Sequence, residues 1–116
     1  MQAIISAFLN SWRGLNFAAR SERAVRQELA VLVLSVPAAL VLSAELWVRI
    51  GLVASILFVL AVELLNTAIE KLCDHVHPHH HPDIGKIKDA GSAAVLSALA
   101  LAAIVWGSAL LHWLLA

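Results

Sequence analysis

Charge is scarce in this chain. Asp, Glu, Lys and Arg make up 14% of its 116 residues, against roughly a quarter in soluble domains. The eight acids and eight bases cancel, so the overall balance carries no pull towards nucleic acid. There is one cysteine, Cys73, which excludes an internal disulfide and reads as a reduced thiol. The five glycines are scattered, with no G-x-x-x-x-G-K-[ST] and no G-x-G-x-x-G, which excludes a P-loop ATPase and a soluble-type kinase. No Pro- or Gly-rich linker, low-complexity tract or internal repeat divides the chain, so residues 1–116 read as one domain. The apolar stretch Met1–Leu9 is too short for a signal peptide.

What is present is hydrocarbon. Apolar residues account for 61% of the chain and mean hydropathy is +0.86, the composition of a small all-α membrane protein. Apolar positions recur every three or four residues from Ile4 to Phe17, interleaved with Arg13, Arg20, Arg23 and Arg26. Residues 1–27 therefore read as an amphipathic helix on the membrane surface, with Trp12 at the interface. Its simplest task is to anchor the chain. Three spans are expected at 29–48, 50–73 and 92–115. Pro37 lies inside the first, a turn near Arg49 and Gly51 follows, and Gly91–Ser92 resembles a helix start. Between the last two spans, residues 74–90 form the one sizeable polar loop. Lys and Arg gather in the N-terminal segment and in that loop, which assigns both to the cytoplasm.

The second span carries the chemistry. At about 100° per residue, Glu63, Asn66, Glu70 and Asp74 fall on one narrow helix face. Each acid buried in a bilayer costs roughly 2.5–3.5 kcal/mol on insertion scales, so such a stripe is functional by default. Interhelical glue across an oligomer is the plain alternative. Glu22 and Glu70, near water, are hard-oxygen ligands suited to Mg²⁺. Glu63 lies about 10 Å deeper than Glu70, where partial desolvation makes it a better base for a hydroxyl. Lys88 offers a point charge for phosphate and Asn66 can orient a carboxylate or a metal-bound water. Glu28 reads as structural or supporting. The histidines at 75, 77, 79, 80 and 81 suggest Zn²⁺ or Ni²⁺, but their spacing suits a flexible lid better than a ligand set.

The pattern E-x-x-N-x-x-x-E from Glu63 to Glu70, then Asp74 and K-D-x-G-S-A-A from Lys88, resembles the bacterial integral-membrane diacylglycerol kinases. Ser11-Trp12-Arg13-Gly14-Leu15 and the stretch from Glu22 to Glu28 resemble the same family at matching spacing. The resemblance implies an ATP- and Mg²⁺-dependent kinase of a lipid hydroxyl. It implies a surface helix plus three transmembrane helices in the bacterial inner membrane, a homotrimer with active sites shared between subunits, and no nucleic-acid partner. By the same resemblance Glu63 is the general base, Glu22 and Glu70 bind metal and nucleotide, and Asn66, Lys88 and Asp89 contact the nucleotide. His79, His80 and His81 occupy the loop that covers the nucleotide. Asn10 stands where the family commonly has an ATP-holding residue, and Ser92, Trp12, Arg13 and Gly14 fall at lipid-substrate positions. Two other functions stay open on the residues alone: a polyprenol kinase, and a small cation- or proton-coupled transporter using the stripe as a relay.

Overall fold

The computed structural model describes all 116 residues and is entirely helical. Four helices follow in order: α1 Gln2–Ser21, α2 Arg23–Leu42, α3 Leu46–Val76 and α4 Pro82–Leu115. The last three are long and apolar enough to cross a membrane. Helix α3 is the middle element, packed on α2 along one side and on α4 along the other, while α2 and α4 hardly meet. The thinnest dimension is 21 Å, about two helix diameters. Only 15 of 116 residues are buried, so the apolar surface is turned outward, the arrangement a lipid solvent allows.

Small residues let the helices approach. Ile56 and Val59 of α3 pack on Ala98 and Ala102 of α4, with Leu32, Val62 and Trp106 against them. Ala18 of α1, Val25 of α2 and Leu60 of α3 make a second cluster, which docks the end of α1 onto the pair. The Trp106 indole N–H donates to Leu52 O at 3.0 Å and to Ser55 Oγ at 3.1 Å, tying α4 to α3 with a satisfied polar group. The rest of α1 stands free, with Ile4, Phe8, Trp12 and Phe17 exposed.

Helix boundaries differ from the sequence reading in three places. The surface helix stops at Ser21 rather than continuing to 27, because Glu22 is extended (φ −126°, ψ 121°) and residues 23–27 already belong to α2. Arg26 holds the corner by donating to the carbonyls of Ala19 and Arg20. The turn between the first two spans is at Ser43–Glu45, not at Arg49–Gly51. There Ser43 Oγ accepts the Glu45 N–H, and the Arg49 guanidinium donates to Ser43 O at 2.6 Å and Leu40 O at 3.2 Å. Arg49 is thus a cap on the free carbonyls of α2 from inside α3. The polar loop shrinks from 74–90 to 77–81. Helix α4 starts at Pro82, where proline needs no N–H partner, and His81 caps it by accepting the Asp83 N–H on Nδ1 at 3.0 Å. Gly91 and Ser92 lie inside that helix.

These lengths set the depth of the site. Helix α2 has 20 residues and α3 has 31, so α3 is about 16 Å longer. Both start from the turn at 43–45, so the excess projects at the opposite, charged end. Arg23 comes level with Leu65 and Asn66, and everything from Glu70 to Val76 stands beyond α2.

Candidate functional site

The charged end of α3 gathers groups from the α1–α2 corner, α2, α3 and α4. Glu22, at the α1–α2 corner, meets Lys71 of α3 with Oε1 3.1 Å from Nζ. That contact ties the corner to the projecting end of α3. Six residues deeper on α2, Glu28 comes level with about Leu60, one turn below Glu63. Glu28, Glu70 and Glu22 all lie near enough for their charges to reach the Glu63 carboxyl. Four acids, from α2, α3 and the α1–α2 corner, therefore share one electrostatic neighbourhood.

Asn66 and Glu70, one turn apart on α3, are paired: Asn66 Nδ2 donates to Glu70 Oε1 at 3.1 Å. Asn66 is buried against α4, whereas Glu63 and Glu70 are half-exposed. Asp74 accepts a 2.6 Å hydrogen bond from Lys88 Nζ of α4, closing the top of the seam, and the field of Glu70 also reaches Lys88. The result is an acidic seam with Lys71 and Lys88 at its rim. Neither Glu22 nor Glu70 is bonded through its second oxygen, so each keeps one free lone-pair face.

The donor set fits a hard cation that brings its own ligands. No group of three or more His, Cys, Asp or Glu side chains converges to hold a metal. Two carboxylates with free oxygens suit Mg²⁺, which keeps waters and shares phosphate oxygens instead of sitting in an all-protein cage. The same test goes against the histidines as a transition-metal site. The rings of His77 and His81 stand 5.2 Å apart, but His77 Nδ1 is engaged by His79 O and His81 Nδ1 by the α4 cap. Histidine here builds the turn.

The residues expected at the site divide into two groups. Glu22, Glu63, Asn66, Glu70 and Lys88 come together. Asn10, Trp12, Arg13 and Gly14 do not join them: Asn10 precedes Glu22 by twelve residues of helix, about 18 Å, and all four are exposed on α1. Arg13 contacts Asn10 at 3.5 Å, and Trp12 and Arg13 line an open hollow with Phe17 and Arg20. Asp89 and Ser92 are exposed on the outer face of α4, and His79, His80 and His81 stand above the seam in the turn beside Asp74 and Lys88. Three participants were given lesser parts by the sequence. Glu28 read as supporting, Lys71 had no part in the site, and Gly91 passed as a helix start.

Fold and seam together define a small three-span membrane protein with an acidic, cation-attracting face at one end of its central helix. A profile of the prokaryotic diacylglycerol kinases matches residues 9–110. The diacylglycerol kinase of Escherichia coli strain K12 is 42% identical over 103 residues, covering 89% of this chain and 84% of that protein. Those of Haemophilus influenzae and Pseudomonas aeruginosa are 36% and 37% identical, covering 92% and 96% of this chain and 91% and 90% of the relatives. The chain belongs to the prokaryotic diacylglycerol kinase family. It is a kinase with an alcohol as acceptor, and as a kinase it uses ATP.

Proposed function

We propose that this protein transfers the γ-phosphoryl group of ATP to the free hydroxyl of diacylglycerol, producing phosphatidate at the cytoplasmic face of the bacterial inner membrane. The observation that carries the reading is the seam itself: Glu22, Glu28, Glu63 and Glu70 share one field where the central span leaves the bilayer. Helix glue has no use for four like charges, since each one desolvated without a cation is a cost. Relatives named diacylglycerol kinase, matched over most of the chain, support the same reading over the polyprenol and transporter alternatives.

The roles follow from depth. Glu63, about 10 Å below Glu70, is the carboxylate nearest headgroup level. It takes the proton of the lipid hydroxyl as that oxygen attacks the γ-phosphorus and the bond to the β–γ bridging oxygen breaks. Glu22 and Glu70 are the residues that would hold Mg²⁺ through their free oxygens, and the ion would supply charge neutralisation for the phosphates. Asn66 keeps Glu70 oriented. Lys88 swings from Asp74 to the phosphates and, with Asp89 and the turn at His79–His81, holds the nucleotide.

The active unit is a homotrimer with sites shared between neighbours. A flat chain with its seam open, and with Asp89, Ser92, Trp12, Arg13, Gly14 and Asn10 exposed, supports this assembly. A neighbour completes the site, Ser92 and the α1 residues facing lipid substrate and Asn10 the nucleotide. Purified protein in mixed micelles with ATP, Mg²⁺ and either diacylglycerol or a polyprenol tests the function. Phosphatidate from the first lipid and no phosphate on the second is expected; the reverse assigns the polyprenol, and no product with either leaves the transporter.

A further inference from the structure

Asn66 Oδ1 is the one buried side-chain oxygen or nitrogen in the chain without a hydrogen-bond partner. The residue is 8% exposed and its amide nitrogen is committed to Glu70, so the amide cannot turn over without setting its oxygen against a carboxylate. The oxygen faces α4 at Gly91. A methyl group added to Gly91 would overlap Asn66 Oδ1 and lie 3.3 Å from its Cγ. Gly91 does not have a positive φ, so glycine is not required there by the backbone. It is a poor helix former inside a long helix, and the space taken by the Asn66 amide is what the structure offers as its reason. At Gly14, Gly51, Gly85 and Gly107 an added Cβ meets nothing within 4 Å.

We propose that Gly91 is a positioning residue for phosphoryl transfer: its missing side chain forms the slot that seats the Asn66 amide, which in turn holds Glu70 in place to bind Mg²⁺. The chain of contacts is short. Gly91 contacts the amide oxygen, the amide nitrogen donates to Glu70 Oε1, and Glu70 Oε2 is left for the cation. A side chain at 91 pushes the amide towards Glu70 or out of the interface, and either movement turns the carboxylate. This inference rests on the assignment of Glu70 as a metal ligand.

The test compares Gly91→Ala, Asn66→Ala, the double variant and Gly107→Ala, a glycine of the same helix with open space around it. Each is read by equilibrium binding of Mg²⁺ in the presence of ATP without lipid, by the Mg²⁺ concentration giving half-maximal rate and by kcat at saturating Mg²⁺. Gly91→Ala and Asn66→Ala are each expected to raise half-saturating Mg²⁺ about tenfold, with kcat falling much less, and Gly107→Ala to change neither. The double variant is expected to be no worse than Asn66→Ala alone, because the overlap disappears with the amide. Additive losses overturn the proposal, as does an unchanged Mg²⁺ requirement in Gly91→Ala while Asn66→Ala raises it. An unchanged requirement in both Asn66→Ala and Glu70→Gln removes the metal assignment instead, and the inference with it. Should Gly91→Ala fail to assemble, recovery of assembly in the double variant supports the slot, and failure of both variants refutes it.

Discussion

The Lys71 ammonium lies 3.1 Å from Glu22 Oε1, and this single contact joins the corner after the surface helix to the projecting end of the central span. Both side chains are partly exposed, at 43% and 30%, so the pair is worth no more than about 1 kcal/mol. Its larger effect is on the seam. Replacing Lys71 by Met removes a positive charge from beside Glu22 and deepens the negative potential there. The Lys71→Met variant should therefore unfold within about 1 kcal/mol of the native protein yet require less Mg²⁺ for half-maximal activity. A Mg²⁺ titration at saturating ATP decides it: an increased requirement means that Lys71 aligns Glu22 rather than competing for it.

Glu63 and the pair Glu22 and Glu70 should separate kinetically. Changing Glu63 to Gln removes the proton acceptor but leaves both proposed metal ligands, so turnover falls by roughly 10²–10⁴ with Mg·ATP affinity nearly unchanged. Glu22→Gln and Glu70→Gln lose nucleotide affinity as well as rate. Equilibrium binding of Mg·ATP to all three variants is the measurement, and equal loss of affinity in each contradicts the division of roles.

How far the sequence leads is visible in the two ends of α3. The stripe of Glu63, Asn66, Glu70 and Asp74 was legible because a helix in lipid must be apolar, which makes any polar periodicity stand out. Helix ends were not legible in the same way. Arg49 and Gly51 look like turn residues, but the turn lies at Ser43–Glu45 and Arg49 reaches back along α3 to cap α2. That role depends on a long side chain in a particular rotamer, which no local pattern reports. The histidine run had the composition of a loop, while His81 and Pro82 together make a helix start that shortens it to five residues, 77–81. Long-range pairings such as Glu22 with Lys71, or Asn66 with Gly91, need the register between helices, which hydropathy does not supply.

Arg49 gives a prediction about stability alone. Its guanidinium serves the carbonyls of Leu40 and Ser43 at the end of α2 far from the seam. Hydrogen bonds to a charged donor contribute about 1.5–3 kcal/mol, and the partial exposure of Arg49 lowers the effect. Arg49→Ala should destabilise by about 1–2 kcal/mol in reversible unfolding from mixed micelles, with kcat and the Mg²⁺ requirement as in the native protein. A changed Mg²⁺ requirement would show that the α2–α3 turn communicates with the opposite end.

Trp106 tests how α3 and α4 are held together in the apolar region. Its indole donates to both Leu52 O and Ser55 Oγ, and Ser55 Oγ itself donates to Leu52 O at 2.7 Å. Trp106→Phe keeps an aromatic ring in the groove beside Ile56 and removes the donor. Interhelical hydrogen bonds within a bilayer average about 0.6 kcal/mol and reach about 1.7, so a loss of about 1 kcal/mol is expected, arising from the shared donor. Trp106→Ala should cost at least about 2 kcal/mol more, because an aromatic deleted from a packed site loses its van der Waals contacts as well. Unfolding of both variants in one detergent separates the contributions. If Trp106→Phe costs as much as Trp106→Ala, the hydrogen bond rather than packing joins the helices, and Ser55→Ala should then reproduce part of the loss.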